Sequence, residues 1–543
     1  MAQTSRTRRG VAKKPASPKP SIRRRRPLAQ GLDATSVLQR HYPSQFTTFF
    51  IPEPRLRFGR KQGAVDPKTG LAMYGPNDVE EPGRRQAVRL GLLGTGPLID
   101  LTRSWIERSQ SKVMPLLKRV RKDGSVSLDP MDPQGYQAFP GFREAFDADF
   151  VVAEPLIETL SPFDTAPLAK MPLFEPRVKH LVDVLVTRLG VLADKPSPPD
   201  VVIIALPTEI RSLVTNPMRH LHTAKPRKRV PAPTTQQDLL GALADAIPAA
   251  EAEREMAVFH HALKAHAMGP GIPTQLIWQQ TLEGTASEDE ATRAWNFWTG
   301  VYYKGGGVPW RVEGLQHGTC FVGVSFYKDR QDGSLRSCLA QAFSDQGEGL
   351  VLRSEPFKWS GGKSPHLPRN VAAELIARVV AAYRDHVKQV PTRVVVHKWQ
   401  RYWDDEREGF EQALAGVVHS YDLISFSDRG LRFFRAGAEP PLRGTMIQLG
   451  DANCLLYTRG YVPYLGLYPG MRVPRPIEIV EHHGSAPLRQ ICQEVLALTK
   501  MDWNSAMFAG KEPITTAFSE DVGHILAELP NGATARPQYR FYM

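Results

Sequence analysis

Four polar side chains in the middle of the chain could together bind a phosphate group. His260 and Lys264 stand four residues apart in a segment with helical spacing, so they share one face of a predicted helix. Gln275 follows the turn that ends this helix, and Lys304 ends the next predicted helix, just before three glycines. A terminal phosphate monoester carries about −1.5 to −2 charges and three acceptor oxygens, which would suit these donors. From the spacing alone, a solvated helix face is the favoured interpretation.

The segments around these residues predict alternating strands and helices. Two apolar runs have the composition of strands, and the second is bounded by prolines, as in a strand buried on both faces. Apolar residues three and four apart predict the helices. The predicted bounds are strands 87–94, 201–206 and 274–278, and helices 98–106, 180–192, 250–267 and 291–303. This order is typical of an α/β domain.

The chain beyond residue 304 has a different pattern. Two strand-like runs flank Asp332-Gly333, a dipeptide that favours a two-residue hairpin turn. A third strand, an amphipathic helix and a buried strand follow. The predicted bounds of these elements are 320–328, 335–343, 350–353, 370–386 and 393–397. Three antiparallel strands, a crossover helix and a buried strand are the order that begins an RNase H-like domain.

The chain has 543 residues, enough for two large domains or three smaller ones, and a net charge of +13. Ten of the basic side chains and no acidic one fall in residues 1–30, so the remaining chain is nearly balanced. A basic, proline-containing tail of this kind is predicted to be disordered and to attract phosphate without reading sequence. Residues 31–80 are rich in turn formers and are expected to form a small extended lobe rather than a helical one.

Neither a run of about 18 apolar residues nor an apolar segment within the first 30 residues is present in the sequence. The sequence therefore favours a protein without a membrane span or a secretory signal. The cysteines lie far apart, which argues against a zinc ribbon or a disulfide scaffold and favours the reducing cytoplasm. They are Cys320, Cys338, Cys454 and Cys492.

The four candidate phosphate ligands resemble the phosphate-binding residues in the MID domain of Argonaute proteins. In that family a tyrosine or histidine, a lysine four residues later, a glutamine and a lysine before a glycine pair bind the 5′-phosphate of a guide strand. His260, Lys264, Gln275 and Lys304 match this order. The phrases that resemble prokaryotic Argonautes are Asp66-Pro-Lys-Thr-Gly-Leu71, Gly271-Ile-Pro-Thr-Gln275, Tyr302-Tyr-Lys-Gly-Gly-Gly-Val-Pro-Trp310, Lys500-Met-Asp-Trp-Asn504 and Arg540-Phe-Tyr-Met543. The resemblance covers about residues 55–543 and leaves the basic tail outside.

The resemblance implies a Rossmann-like MID domain at 81–303 and an RNase H-like PIWI domain at 304–543. It leaves no room for a PAZ domain, as in the short prokaryotic branch of the family. In such proteins the terminal carboxylate reaches the guide phosphate through a divalent ion. We therefore expect Mg²⁺ to be held by Gln275, the carboxylate of Met543 and the phosphates, because a hard cation offsets their mutual repulsion.

The resemblance also implies that this PIWI domain does not cut. The first catalytic aspartate of the family should lie mid-strand where this chain has Ser325, and the next where it has Trp399. Neither side chain supplies the carboxylate that a two-metal site requires. Glu520 lies near the expected fourth position, and one carboxylate would not restore the site. An acidic cluster at 404–408 is interpreted as a helix N-terminus, where acids suit the helix dipole.

We therefore expect a catalytically inactive protein that loads a 5′-phosphorylated guide RNA and pairs it with a single-stranded DNA target. Lys398 and Arg401 are either contacts to the nucleic-acid backbone or solvated side chains. The resemblance implies a partner that joins an APAZ region to a sirtuin-like, TIR or nuclease domain and acts in immunity against plasmids or phage. Assembly into a higher oligomer on target binding is a further expectation. The alternatives are a guided endonuclease and a nucleic-acid packaging protein with an arginine-rich arm.

Overall fold

The computed structural model describes residues 46–115, 118–120, 126–128, 137–214, 259–284, 289–329, 334–342, 349–357, 365–428, 430–433, 440–469, 473–530 and 532–543. Residues 47–543 form one compact unit. The basic tail predicted at 1–30 and the first part of the predicted lobe lie outside the described residues. Within these ranges, the helices are too short or too polar to cross a membrane.

The strands of the described residues are β1 (Thr47–Phe50), β2 (Leu56–Arg57), β3 (Gly63–Ala64), β4 (Ala87–Gly94), β5 (Lys118–Val120), β6 (Val126–Leu128), β7 (Asp149–Thr159), β8 (Val201–Leu206), β9 (Thr274–Trp278), β10 (Arg311–Val312), β11 (Thr319–Lys328), β12 (Leu335–Ala342), β13 (Leu350–Arg353), β14 (Arg393–Trp399), β15 (Ser420–Ser427), β16 (Thr445–Gln448), β17 (Cys454–Leu456) and β18 (Ile477–Gly484). The α-helices are α1 (Pro67–Tyr74), α2 (Gly96–Arg108), α3 (Phe142–Phe146), α4 (Pro162–Lys170), α5 (Phe174–Ala193), α6 (Thr208–Val214), α7 (Phe259–Ala267), α8 (Gln279–Leu282), α9 (Glu290–Lys304), α10 (Arg369–Val387), α11 (Asp404–Leu414), α12 (Leu488–Leu498) and α13 (Ile514–Ala527).

A four-stranded parallel sheet has the strand order β7-β4-β8-β9. Every residue of β8 is buried, because helices pack on both faces of the sheet. Val202 and Ile204 join a core with α5 and α7, whereas Val201 and Ile203 join a core with α2 and α9. The predicted α/β architecture of this part of the chain is confirmed, and the sheet places α7, β9 and the end of α9 side by side.

A nine-stranded sheet has the order β1-β16-β17-β18-β15-β14-β11-β12-β13. Its centre is parallel, since β11 pairs with β14 and β14 with β15 in the same direction, and the flanking pairs are antiparallel. Helix α10 packs on one face beside Val322 and Val396, and α12 and α13 pack on the other beside Val395 and Ile424. The RNase H-like order predicted for 320–397 is confirmed as a fold.

The lobe predicted at 31–80 differs from the described part of that segment in two ways. Thr47–Phe50 pairs with Thr445–Gln448 and so forms the edge of the nine-stranded sheet. Asp66-Pro67 begins an eight-residue helix rather than a turn, because the Asp66 carboxylate accepts a hydrogen bond from the Thr69 backbone N–H and Pro67 occupies the first turn. The expectation of a non-helical lobe was therefore wrong for residues 67–74.

Candidate functional site

Three elements in and beside the four-stranded sheet position the predicted phosphate ligands. Helix α7 carries His260 and Lys264, and its fully buried Phe259 and Leu263 fix it against the sheet. Gln275 lies at the beginning of β9, and Lys304 is the last residue of α9. The apolar residues of each element decide which face is buried, so the polar side chains meet where the elements converge.

The ammonium groups of two lysines lie inside this cluster. Lys304 Nζ donates to Gln275 Oε1 at 2.5 Å, and Lys264 Nζ donates to the Thr274 carbonyl oxygen at 2.5 Å. Each lysine is only 2% exposed. Among the described residues, neither lysine forms an ion pair with a carboxylate. The acceptors of these two buried lysines are therefore neutral oxygens.

Burial and mutual repulsion destabilise the charged forms of these groups. Burial lowers the pKa of Lys264 to about 7. The pKa of Lys304 falls well below its ordinary value through burial and then through the charge of Lys264. His260 keeps some solvent-exposed surface. Its pKa is nevertheless lowered, first by burial of the ring and then by the charges of Lys264, His261 and Lys304. The charged forms of the three groups would therefore repel one another, and a bound anion would relieve that repulsion.

A cavity of about 200 Å³ adjoins His260 and reaches the last residues of the chain. Met543 lines it and is nearly buried. Asp502, Asn504 and Asp521 supply oxygen atoms to its wall, and burial raises the pKa of the Asp502 carboxyl. Sequence reasoning had not selected these three residues, although Asp502 and Asn504 stand in the phrase 500–504.

The candidate metal ligands are only partly brought together. Gln275 Oε1 already accepts a hydrogen bond from Lys304, while Met543 lines the cavity beside His260. Over the described ranges, three or more His, Cys, Asp or Glu side chains do not gather at any point that could hold a metal ion. A divalent cation here would therefore take most of its ligands from a bound phosphate, with amide and carboxylate oxygens of the cavity wall as the hard donors that Mg²⁺ prefers.

Ser325 and Trp399 occupy neighbouring positions of the nine-stranded sheet. Val324 is paired with Lys398 across parallel strands, and Ser325 and Trp399 are the residues that follow this pair, Trp399 as the last residue of β14. Ser325 Oγ donates to the Ser519 carbonyl oxygen at 2.6 Å, and the indole of Trp399 packs against Phe426. Glu520 lies within helix α13, but its side chain is outside the described residues.

The prediction of Lys398 as a backbone contact requires correction. Lys398 is 1% exposed, and its ammonium group forms an ion pair with the fully buried Glu406. The charge is therefore neutralised inside the protein and does not face a nucleic acid. Arg401, in contrast, has a side chain that is 63% exposed, with Nη1 3.4 Å from Glu481. We retain Arg401 alone as a candidate contact.

The acidic cluster at 404–408 begins helix α11, as the sequence predicted. The histidine pair at 482–483 lies on strand β18, where His482 Nε2 is 2.7 Å from the buried Asp422 carboxylate. Glu406 thus forms an internal ion pair with Lys398, and His482 forms an internal hydrogen bond with Asp422.

Comparison with known proteins relates the chain to the Argonautes. It is 23% identical to the Argonaute of Aquifex aeolicus over 259 residues, covering 47% of this chain and 34% of that protein. It is 25% identical to the Argonaute of Thermus thermophilus over 245 residues, covering 44% of this chain and 32% of that protein. No family model matches the chain.

Solved Argonaute structures share its fold. The structure of Clostridium butyricum Argonaute bound to a guide DNA and a 19-mer target DNA matches with a TM-score of 0.57 and 16% identity, over 90% of this chain and 54% of that one. A crystal structure of Aquifex aeolicus Argonaute matches with a TM-score of 0.51 and 14% identity, over 89% and 53%. The chain thus spans about a third of its curated relatives and just over half of the solved proteins.

Proposed function

We propose that this chain, which is related to the Argonautes in fold and sequence, anchors the 5′-phosphate of a short guide strand at Lys264, Lys304, Gln275 and His260. The observation that carries the proposal is the pair of buried ammonium groups without a carboxylate partner among the described residues. Buried charges of this kind cost free energy unless an oppositely charged group neutralises them. A terminal phosphate brings about −1.5 to −2 charges and three acceptor oxygens to the same point.

The nucleic acid that copurifies with the full chain tests this proposal. Short strands of uniform length with 5′-phosphates are the expected result, and we propose RNA as the guide. Treatment with RNase or DNase before sequencing distinguishes an RNA guide from a DNA guide such as that bound by the Clostridium butyricum protein. Long strands of mixed length would instead support a packaging protein that binds through the basic residues 1–30.

A divalent cation fits the proposed anchor when the guide supplies its phosphate oxygens. Gln275 and the oxygen-bearing wall formed by Asp502 and Asn504 would be its nearest protein donors, together with the terminal carboxylate at Met543. When bound, Mg²⁺ would offset the repulsion between the phosphates and these carboxylates. The lysines neutralise the phosphate from the other elements, and Gln275 orients Lys304.

The affinity for a phosphorylated guide is expected to fall as the pH rises. Because the pKa of Lys264 is lowered to about 7, binding above that pH requires the uptake of a proton. Below about pH 6 the phosphate loses its second charge. Affinity should therefore be highest between about pH 6 and 7 and decline by up to about tenfold per pH unit above that range. Fluorescence anisotropy with 5′-phosphate and 5′-hydroxyl guides from pH 6 to 9 measures this, and a pH-independent ratio of the two affinities would contradict it.

We further propose that the protein binds its target without cutting it. Support comes from Ser325 and Trp399, which follow the paired residues Val324 and Lys398 and supply no carboxylate, whereas a two-metal nuclease requires carboxylates. With guide loaded and Mg²⁺ or Mn²⁺ added, a complementary single-stranded DNA should be retained at full length on the protein. The opposing result is guide-dependent cleavage that disappears in Glu520→Ala, which would establish a guided endonuclease.

The remaining part of the proposal concerns a partner. A short Argonaute of MID and PIWI domains that does not cut requires a separate effector, and we propose an APAZ-containing protein with sirtuin-like, TIR or nuclease activity that acts in defence against plasmids or phage. Coexpression with genomic neighbours, followed by affinity purification through this chain, tests it. A stoichiometric complex whose enzymatic activity requires guide and target is expected, and purification of this chain without any neighbour would count against the idea.

A further inference from the structure

A cleft of about 570 Å³ adjoins the beginnings of strands β4, β8 and β9 and contacts the final segment of the chain. It shares no lining residue with the 200 Å³ cavity beside His260, but Lys304 of the proposed guide anchor lines it. Its walls come from four separate segments, at residues 78–88, 199–200, 271–273 and 302–307, closed by residues 536–541. A volume of this size lies within the range of sites that hold small organic ligands.

The acidic groups of this cleft already have cationic partners. Asp78 is paired with Arg84, Asp200 with Arg85 and Arg89, and Glu81 with Arg311. These pairs join the cleft walls to one another and leave no unpaired carboxylate among the lining residues that the structure describes. The electrostatic character of the cleft is therefore decided by the remaining cations.

Those cations are Lys304, which also belongs to the proposed guide anchor, and two arginines of the final segment. Arg540 donates to no acceptor and pairs with no acid among the described residues. Arg536 donates through Nε to the Met268 carbonyl oxygen at 2.9 Å and lies over the Phe541 ring, which leaves its terminal amines without an acidic partner in the same ranges. Guanidinium groups present planar pairs of N–H donors that match phosphate oxygens.

Glycines allow both guanidinium groups to lie against the cleft wall. Gly271 has φ +78°, and a Cβ atom there would come within 2.4 Å of Arg536 Nη2. Gly306 has φ +103°, and a Cβ atom there would lie 3.4 Å from Arg540 Nη1. Any larger residue at 271 would displace Arg536, so the close approach of this guanidinium group to the backbone requires glycine at 271.

The same cleft has apolar surface beside its cations. Val88, Pro199, Ile272 and Phe541 contribute to the lining. A ligand with one anionic end and one flat, weakly polar end would use both kinds of surface, and a nucleotide has that composition. We propose that this cleft is a binding site for a nucleotide-sized phosphorylated ligand, with Arg540 and Arg536 as the ligands of its phosphate.

Titration calorimetry with the full chain tests the site, using inorganic phosphate, a nucleoside monophosphate and a nucleoside triphosphate as separate probes. The nucleotides should bind more tightly than inorganic phosphate, since only they reach the apolar surface. Arg540→Gln should weaken nucleotide binding at least tenfold, Arg540→Lys should weaken it less, and Arg459→Gln, which removes an exposed arginine elsewhere, should have no effect.

A second variant separates this site from the guide anchor. Lys264→Met should leave nucleotide affinity unchanged, because Lys264 does not line the cleft and its ammonium group donates to the Thr274 carbonyl oxygen. Arg540→Gln should leave the affinity for a 5′-phosphorylated guide unchanged. Absence of binding by all three probes would overturn the proposal. So would nucleotide binding that is lost in Lys264→Met and kept in Arg540→Gln, because the nucleotide would then occupy the guide anchor.

Discussion

Replacement of Lys304 by methionine is expected to weaken binding of a 5′-phosphorylated guide by roughly 10- to 150-fold. This corresponds to the loss of one charge-assisted hydrogen bond, about 1.5 to 3 kcal/mol. The affinity for a 5′-hydroxyl guide should change much less, because that guide leaves the anchor without its anion. Parallel titrations of both guides with labelled strands measure the ratio, and Lys170→Met, which removes an exposed lysine, is the matched control.

The same variant should not lose stability in the absence of guide. Lys304 is buried next to Lys264, and its lowered pKa means that its charge is disfavoured in the folded protein. Methionine keeps the apolar stem and removes the repulsion, although it leaves Gln275 Oε1 without its donor. Equal or greater thermal stability together with lost guide selectivity is the expected combination. Equal losses for both guides, or a large drop in stability, would show that Lys304 is a structural residue rather than an anchor.

Hydrophobic spacing was enough to predict most of the central elements. The helix expected at 370–386 is α10 (Arg369–Val387), and the strand expected at 393–397 is β14 (Arg393–Trp399). Both have a long apolar face or an unbroken β-branched run, so packing and local preference agree. The four strands from β15 to β18 were not predicted, because β16 and β17 have only four and three residues, and the buried charged residues Asp422 and Glu478 interrupt the apolar runs of β15 and β18.

The candidate site shows which contacts the sequence could not determine. The sequence was enough to predict His260, Lys264, Gln275 and Lys304 as candidate ligands. It could not show that the described cluster has no neighbouring acid, because that depends on the tertiary structure. For Lys398 the opposite happened, because the structure gives it an acidic partner that the sequence did not predict. Its partner, Glu406, lies eight residues further along in a cluster that looked like an ordinary helix N-terminus, and only the packing of α11 against the sheet brings the two charges together.

Replacement of Arg393 by methionine is expected to destabilise the folded protein by about 3 to 5 kcal/mol. Arg393 is 2% exposed and holds two acids of different elements, Asp422 at 2.7 Å and Glu494 at 2.5 Å. Removing one partner of a buried ion pair leaves uncompensated charges in the protein interior, which is far more costly than losing an exposed pair. Arg401→Met, which removes an exposed pair with Glu481, should change stability by less than about 1 kcal/mol.

The destabilisation should depend on pH with a definite sign. Although burial by itself raises the pKa of Asp422, hydrogen bonds from His482 and Ala486 and the charge of Arg393 outweigh it and hold the pKa below its ordinary value. A carboxyl of this kind stabilises the fold above its unfolded pKa of about 3.9 and loses that effect as the pH falls through the folded value. The difference in unfolding free energy between the parent protein and Arg393→Met should therefore be complete at pH 7 and shrink below about pH 4.

Urea unfolding at pH 7 and at pH 3.5 measures both differences, and Glu494→Gln in the Arg393→Met background should recover part of the loss at pH 7. If the loss were the same at both pH values and Glu494→Gln recovered none of it, missing packing around the arginine stem, rather than unpaired carboxylates, would be its cause.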